Sequence, residues 1–270
     1  MCLGLLGSLL LNASGVSTAL EVPLVGGKDP LSAFFNALFF LALILLGTFL
    51  LLTLLRSRKI SLLNTFYTVL IALLGLFMYQ IYIVSLAQLT NVYLSEGVIW
   101  ILSSSLSLLT SFIVKWAKEE YPIFITLTIY GGLIGPVLLI TLPFWSVIAV
   151  LIAVSAYDIY SVFKGPLKRV VEAIRGKEGG GSLPLIRGAL VPFKGISLGL
   201  GDIVFYSLLV SVSTIYPQPS ITRGILIVFV ALVGYYATLK LVEKKGYAPA
   251  LPLPVMLGLL TYWVLVSMGY

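Results

Sequence analysis

Histidine does not occur in this chain of 270 residues, and cysteine occurs once, at Cys2. Without histidine there is no Ser-His or Cys-His nucleophile pair and no HExxH zinc site. One cysteine closes no internal disulfide, and alone it leaves too few ligands for zinc or haem. The expectation is no metal and no cofactor, so acid–base chemistry must rest on carboxylates, lysine or tyrosine. Charge is scarce too. Only 10% of residues are charged, where a soluble domain carries about a quarter. That excludes a disordered chain, a nucleic-acid binder and an ordinary soluble enzyme.

Apolar sequence fills the space. Hydrophobic residues make up 60% of the chain, and the mean hydropathy is +1.11. Crossing a bilayer takes roughly 20 mostly apolar residues in a helix. Breaking the chain at charges, prolines and glycines gives nine such runs, at about 1–20, 31–55, 60–87, 97–115, 122–141, 143–163, 196–216, 221–240 and 249–269. The first lacks a basic leader and nothing soluble follows it, so it reads as a retained span rather than a signal peptide. The expected fold is all-α: one membrane domain over 1–270 with nine transmembrane helices.

The positive residues orient it. Arg56, Arg58, Lys59, Lys115 and Lys118 fall after spans two and four. Lys164, Lys168, Arg169, Arg175, Lys177, Arg187 and Lys194 fall after span six, and Lys240, Lys244 and Lys245 after span eight. All lie on one side, against Lys28 and Arg223 on the other. Positive loops stay inside, which puts the N-terminus in the cytoplasm and the C-terminus outside. The long cytoplasmic loop, about 164–195, opens with apolar residues at 167, 170, 171 and 174, the spacing of a surface amphipathic helix. Gly179 to Ser182 reads as a flexible linker. The three glycines Gly131, Gly132 and Gly135 in span five read as a helix-packing surface or a kink.

Of the ten acidic residues, eight sit in loops or near span ends. Asp158 and Asp202 lie inside apolar runs. A charged aspartate at mid-helix costs on the order of 3 kcal/mol on insertion scales, which makes both functional candidates. Counting about 1.5 Å per residue from Lys164 and Lys194 puts them roughly 9 and 12 Å from the cytoplasmic ends of antiparallel spans six and seven. Ser155 and Gly199, one turn earlier, are small enough for close approach. Two aspartates so placed share a proton, and one can activate water while the other protonates a carbonyl. Spacing and depth alone leave three readings open: catalysis, a proton relay in a transporter or leak channel, and a structural helix contact.

The neighbouring residues narrow the choice. Tyr157-Asp158 is followed by Lys164-Gly165-Pro166-Leu167, Gly199-Leu200-Gly201-Asp202 by Phe205-Tyr206-Ser207, and Pro249-Ala250-Leu251-Pro252 opens the last span. These segments resemble the YD, GxGD and PAL motifs of the presenilin and signal peptide peptidase family of intramembrane aspartyl proteases, in the family's order and on its helices six, seven and nine. Leu200, Pro252 and the inside placement of the six–seven loop resemble presenilins, and the short loops resemble the archaeal members, which would sit in the cell membrane. The resemblance implies a protease that cuts single-span membrane proteins within the bilayer, with Asp158 and Asp202 as its dyad. The loop 164–195 leaves little room for a self-cleavage segment.

Residue chemistry adds detail. Gly199 and Gly201 leave the backbone before Asp202 uncovered for a substrate strand. Tyr157 either adds a hydroxyl beside Asp158 or is a lipid-facing or core tyrosine. Pro249, Pro252 and Pro254 interrupt helix hydrogen bonding, so Pro249, Ala250 and Leu251 either present backbone to an extended substrate or form an ordinary proline-rich helix start. A polar cavity open to the cytoplasm is expected around the two aspartates.

Overall fold

A computed structural model describes residues 1–16, 30–56, 60–165, 188–193, 196–245 and 248–269. The described residues form nine helices and one hairpin: α1 (Cys2–Ala13), α2 (Pro30–Arg56), α3 (Ile60–Leu89), α4 (Glu96–Trp116), α5 (Glu120–Thr141), α6 (Phe144–Phe163), β1 (Leu190–Phe193), β2 (Ile196–Gly199), α7 (Leu200–Ile215), α8 (Ile221–Lys245) and α9 (Pro252–Ser267). Six of the helices, α2 to α6 and α8, are long and apolar enough to cross a membrane, and α1, α7 and α9 are shorter apolar helices.

The three short helices depart from the expected spans, each for a local reason. α1 ends at Ala13, and the next turn contains Gly15 in the left-handed region at φ 74°, a conformation that closes helices. α9 starts at Pro252 rather than at residue 249, because prolines at 252 and 254 withhold the amides that a helix starting at 249 would need. The expected seventh span, 196–216, is a strand over its first four residues. Ile196–Gly199 pairs antiparallel with Leu190–Phe193 in the register Leu190↔Gly199, Val191↔Leu198, Pro192↔Ser197 and Phe193↔Ile196. Leu200 N–H extends the ladder to the Ala189 carbonyl at 2.9 Å. Asp202 therefore sits in the first turn of α7, not eight residues into a helix, and the depth count from Lys194 does not hold. The amphipathic segment 167–174, the linker 179–182 and most of the loop 164–195 lie outside the described residues.

α7 is the central post. It packs against α1, α5, α6, α8, α9 and β2, and every residue from Tyr206 to Thr214 is buried. A helix apolar all round belongs inside a bundle. One apolar cluster joins it to α6, α8 and α9 through Val150, Leu151, Leu208, Leu209, Ile227 and Val255. A second joins the hairpin and α7 to α1, α3 and α5 through Leu11, Met78, Leu127, Tyr130, Val191 and Ile203. Close approach comes from glycine: a Cβ on Gly135 would fall 2.6 Å from the Leu208 nitrogen, and one on Gly4 2.8 Å from the Ser207 carbonyl oxygen. The span-five glycines thus form a packing surface. Pro136, inside α5, withholds the amide that Gly132 C=O would accept in a regular helix. Ser207 Oγ donates to that carbonyl instead, at 2.5 Å. Arg223 is buried in the first turn of α8, with its guanidinium on the Ser213 and Gln218 carbonyls.

Candidate active site

Four elements build the site: the inner part of α6, the hairpin, the first turn of α7, and the non-helical stretch before α9. α6 carries Asp158 and packs on both α7 and α9. β2 delivers the chain into α7, so Asp202 follows the strand by three residues. Its Oδ2 accepts the Gly199 N–H at 3.2 Å, a side chain reaching back to the residue that caps its own helix. The two carboxylates are partly buried and stand on antiparallel helices, α6 and α7, that pack against each other.

Residues 249–251 are held between the two aspartate helices. Leu251 N–H donates to Asp158 Oδ2 at 3.0 Å across 93 positions of sequence, and the Ala250 amide lies beside the same carboxylate. From the other side, Tyr206 Oη donates to the Ala250 carbonyl at 2.6 Å. The PAL segment thus borders Asp158, and it is also a helix start: Leu251 caps α9, whose first residue is Pro252.

The two glycines before Asp202 differ. A Cβ on Gly199 would meet Asp202 Oδ2 at 2.9 Å, whereas one on Gly201 would meet nothing within 4 Å. Gly199 makes room for the carboxylate, and only Gly201 is open. Leu200 packs onto α5, its Cδ1 3.1 Å from where a Cβ of Gly131 would lie. Tyr157 is not drawn in with them: its hydroxyl reaches Thr48 Oγ1 of α2, at 3.4 Å.

Two tyrosines that sequence reasoning had not placed in the site belong to it. Tyr206 and Tyr235 of α8 meet edge to face, with ring centroids 6.1 Å apart at 68°, and both lie within electrostatic reach of Asp202. Ser155 and Ser161, three residues before and after Asp158, are buried, and their hydroxyls have no hydrogen-bond partner among the described residues. Among those residues no group of three or more His, Cys, Asp or Glu is placed to hold a metal ion. Glu96, Glu119, Glu120 and Glu243 are exposed, while the other four acidic residues lie outside the described ones.

Six apolar helices of spanning length, packed with a largely buried central helix, define a multi-pass integral membrane protein. Its sequence matches the family model described as Presenilin over residues 25–186 and 187–268, and the chain belongs to the presenilin family. It is 32% identical over 160 residues to Presenilin-B of Dictyostelium discoideum, a match that takes in 56% of this chain and 32% of that protein. The chain thus spans about a third of the curated relative's length. A solved structure described as a presenilin family intramembrane aspartate protease superposes with a TM-score of 0.60 at 20% identity, covering 98% of this chain and 99% of that one. At that identity the likeness speaks for the fold.

Proposed function

We propose that this protein is an intramembrane aspartyl protease that hydrolyses peptide bonds within the transmembrane segments of single-span membrane proteins, with Asp158 and Asp202 as its dyad. What supports the reading is the placement of two partly buried carboxylates on helices that pack together, each accepting a backbone N–H, in a chain of the presenilin family.

In this mechanism one proton is shared by the pair. The ionised carboxylate takes a proton from water as the water attacks the scissile carbonyl, and the neutral one protonates the carbonyl oxygen. Collapse of the tetrahedral species returns a proton to the leaving nitrogen. Water must reach the dyad inside the bilayer. The buried hydroxyls of Ser155 and Ser161 offer it hydrogen-bonding sites on either side of Asp158.

A helical substrate hides its carbonyls in its own hydrogen bonds, so the cut stretch must be extended. Among the described residues the two-stranded sheet leaves one edge of each strand unpaired, and β2 runs straight into the turn that holds Asp202. An unwound substrate would add to such an edge by backbone pairing. The exposed backbone at Gly201 is where it would approach.

The orientation is part of the proposal: N-terminus and dyad toward the cytoplasm, C-terminus outside. A reporter fused after Tyr270 is expected to signal from the outer side; a cytoplasmic signal would reverse the assignment. The test of function is incubation of the purified protein in lipid with a single-span test peptide, with and without an aspartyl-protease transition-state analogue. The expected result is peptide cut within its apolar segment and blocked by the analogue. Proton flux through the protein with no peptide bond broken would replace the protease by a transporter.

A further inference from the structure

We propose that Tyr206 is a positioning residue for Asp158, acting through the peptide group that joins Ala250 to Leu251; the inference rests on the protease reading above. The carbonyl that accepts the Tyr206 hydroxyl at 2.6 Å and the N–H that donates to Asp158 Oδ2 at 3.0 Å belong to one peptide unit. That unit is planar and resonant, so its two ends are not independent. A donor on the oxygen pulls density from the nitrogen and makes the N–H a stronger donor in turn. The hydroxyl on α7, the peptide before α9 and the carboxylate on α6 therefore form one hydrogen-bonded chain.

The sequence explains why this carbonyl is available. In a helix starting one turn earlier, Ala250 C=O would accept the amide four residues on, and that residue is Pro254, which has no N–H. The same device occurs on α5, where Pro136 leaves Gly132 C=O to the hydroxyl of Ser207. Two successive hydroxyls of α7 thus take up two carbonyls released by prolines on flanking helices. Only the one from Tyr206 lies on a peptide that also holds an aspartate. Tyr206 is 3% exposed, so water does not readily replace its bond, and the edge of Tyr235 fixes its ring. Tyr206 follows Asp202 by one helical turn. The helix that carries one carboxylate therefore aims the other.

The test is Tyr206→Phe in the full-length protein in lipid, assayed with the single-span peptide. This variant keeps the ring and its contact with Tyr235 and removes the hydroxyl alone. Ser211→Ala is the control, since it deletes another buried hydroxyl of α7, shared between the Ser207 carbonyl at 2.7 Å and the Gly4 carbonyl at 3.1 Å, two turns beyond Asp202. The expected result is a fall in kcat of about tenfold for Tyr206→Phe with KM within about twofold, and both constants unchanged for Ser211→Ala, on the scale of one lost buried hydrogen bond. 3-Fluorotyrosine at position 206, a stronger donor of the same shape, is expected to hold kcat at or above the original value at mildly acidic pH. It also serves if the phenylalanine variant does not fold. Unchanged kcat in Tyr206→Phe, a rise in KM alone, an equal loss in Ser211→Ala, or a loss with fluorotyrosine would each overturn the proposal while leaving the protease reading intact. Cleavage that survives Asp158→Asn would instead remove the protease mechanism, and this inference with it.

Discussion

Gly234 of α8 lies directly against the backbone of Pro254 in α9: a Cβ added to the glycine would fall 2.7 Å from the Pro254 Cα and 2.8 Å from its nitrogen. Backbone cannot swing aside as a flexible side chain does, so Gly234→Ala must push α9 away from α8. The Ala250–Leu251 peptide sits three residues before Pro254 and would move with it. Overpacking of this kind costs about 1–3 kcal/mol. The expected outcome is a lower Tm together with a loss of cleavage. Gly47→Ala, which meets nothing within 4 Å inside α2, is expected to keep cleavage and to hold or raise Tm, and an unaffected Gly234→Ala would contradict the packing described.

Replacing either aspartate is expected to abolish hydrolysis. Asp158→Asn keeps an oxygen for the Leu251 amide, and Asp202→Asn keeps one for Gly199, so both variants should fold. Each is expected to lose about 10²–10⁴-fold in kcat, the usual worth of a positioned acid or base. The double variant is expected to be little worse than either, because the two groups act as a unit. Product mass spectra of the folded variants decide the matter.

The pH dependence follows from the shared proton. Below the lower limb both carboxyls are neutral and no base remains; above the upper limb both are charged and no acid remains. Activity should rise and then fall with pH, with an optimum from mildly acidic to neutral. Initial rates across the range would show it, and a flat profile would be incompatible with a dyad.

The two glycines of the Gly199-Leu200-Gly201 segment are expected to separate kinetically. An alanine at 199 crowds Asp202 Oδ2 at 2.9 Å and moves the carboxylate. A shift near 1 Å costs about 10²-fold, and it should appear in kcat. An alanine at 201 meets nothing in the protein itself, so Tm should stay put and any effect should appear in KM, through the approaching substrate. Equal kinetic behaviour of the two variants would remove the distinction.

Much of this was legible in the sequence because lipid imposes simple rules. Runs of apolar residues long enough to span, broken by charge, outline α2 to α6 and α8 within a few residues. Asp158 and Asp202 stand out because carboxylates are costly in such runs. The hairpin was hidden for the converse reason: Ile196 to Gly199 is apolar and continuous with α7, and hydropathy does not separate a short buried strand from a helix. The tyrosines were hidden by number. Fifteen occur in the chain, and nothing in composition sets Tyr235 apart. Tyr206 had a signal that went unused, since Pro254, four residues after Ala250, announces a carbonyl in need of a donor. Tyr157 shows the limit of adjacency: it neighbours Asp158 in sequence, but successive residues on a helix point about 100° apart, and its hydroxyl turns to α2.

The enclosure of α7 has a consequence for how the bilayer acts on the site. A helix exposed to lipid must match its apolar length to the hydrocarbon thickness, tilting or straining when it does not. α7 has 16 residues, about 24 Å of helix, shorter than the roughly 30 Å of a typical hydrocarbon core. Its buried stretch, Tyr206 to Thr214, is spared that demand by the five helices packed around it. The short post and its hairpin can hold Asp202 at a depth fixed by protein contacts alone. Thickening or thinning the membrane would load the long, more exposed helices α2, α3, α4 and α8 first and reach Asp202 through the helices packed on α7. The outer helices thus serve the site as a mechanical buffer against the membrane in which it works.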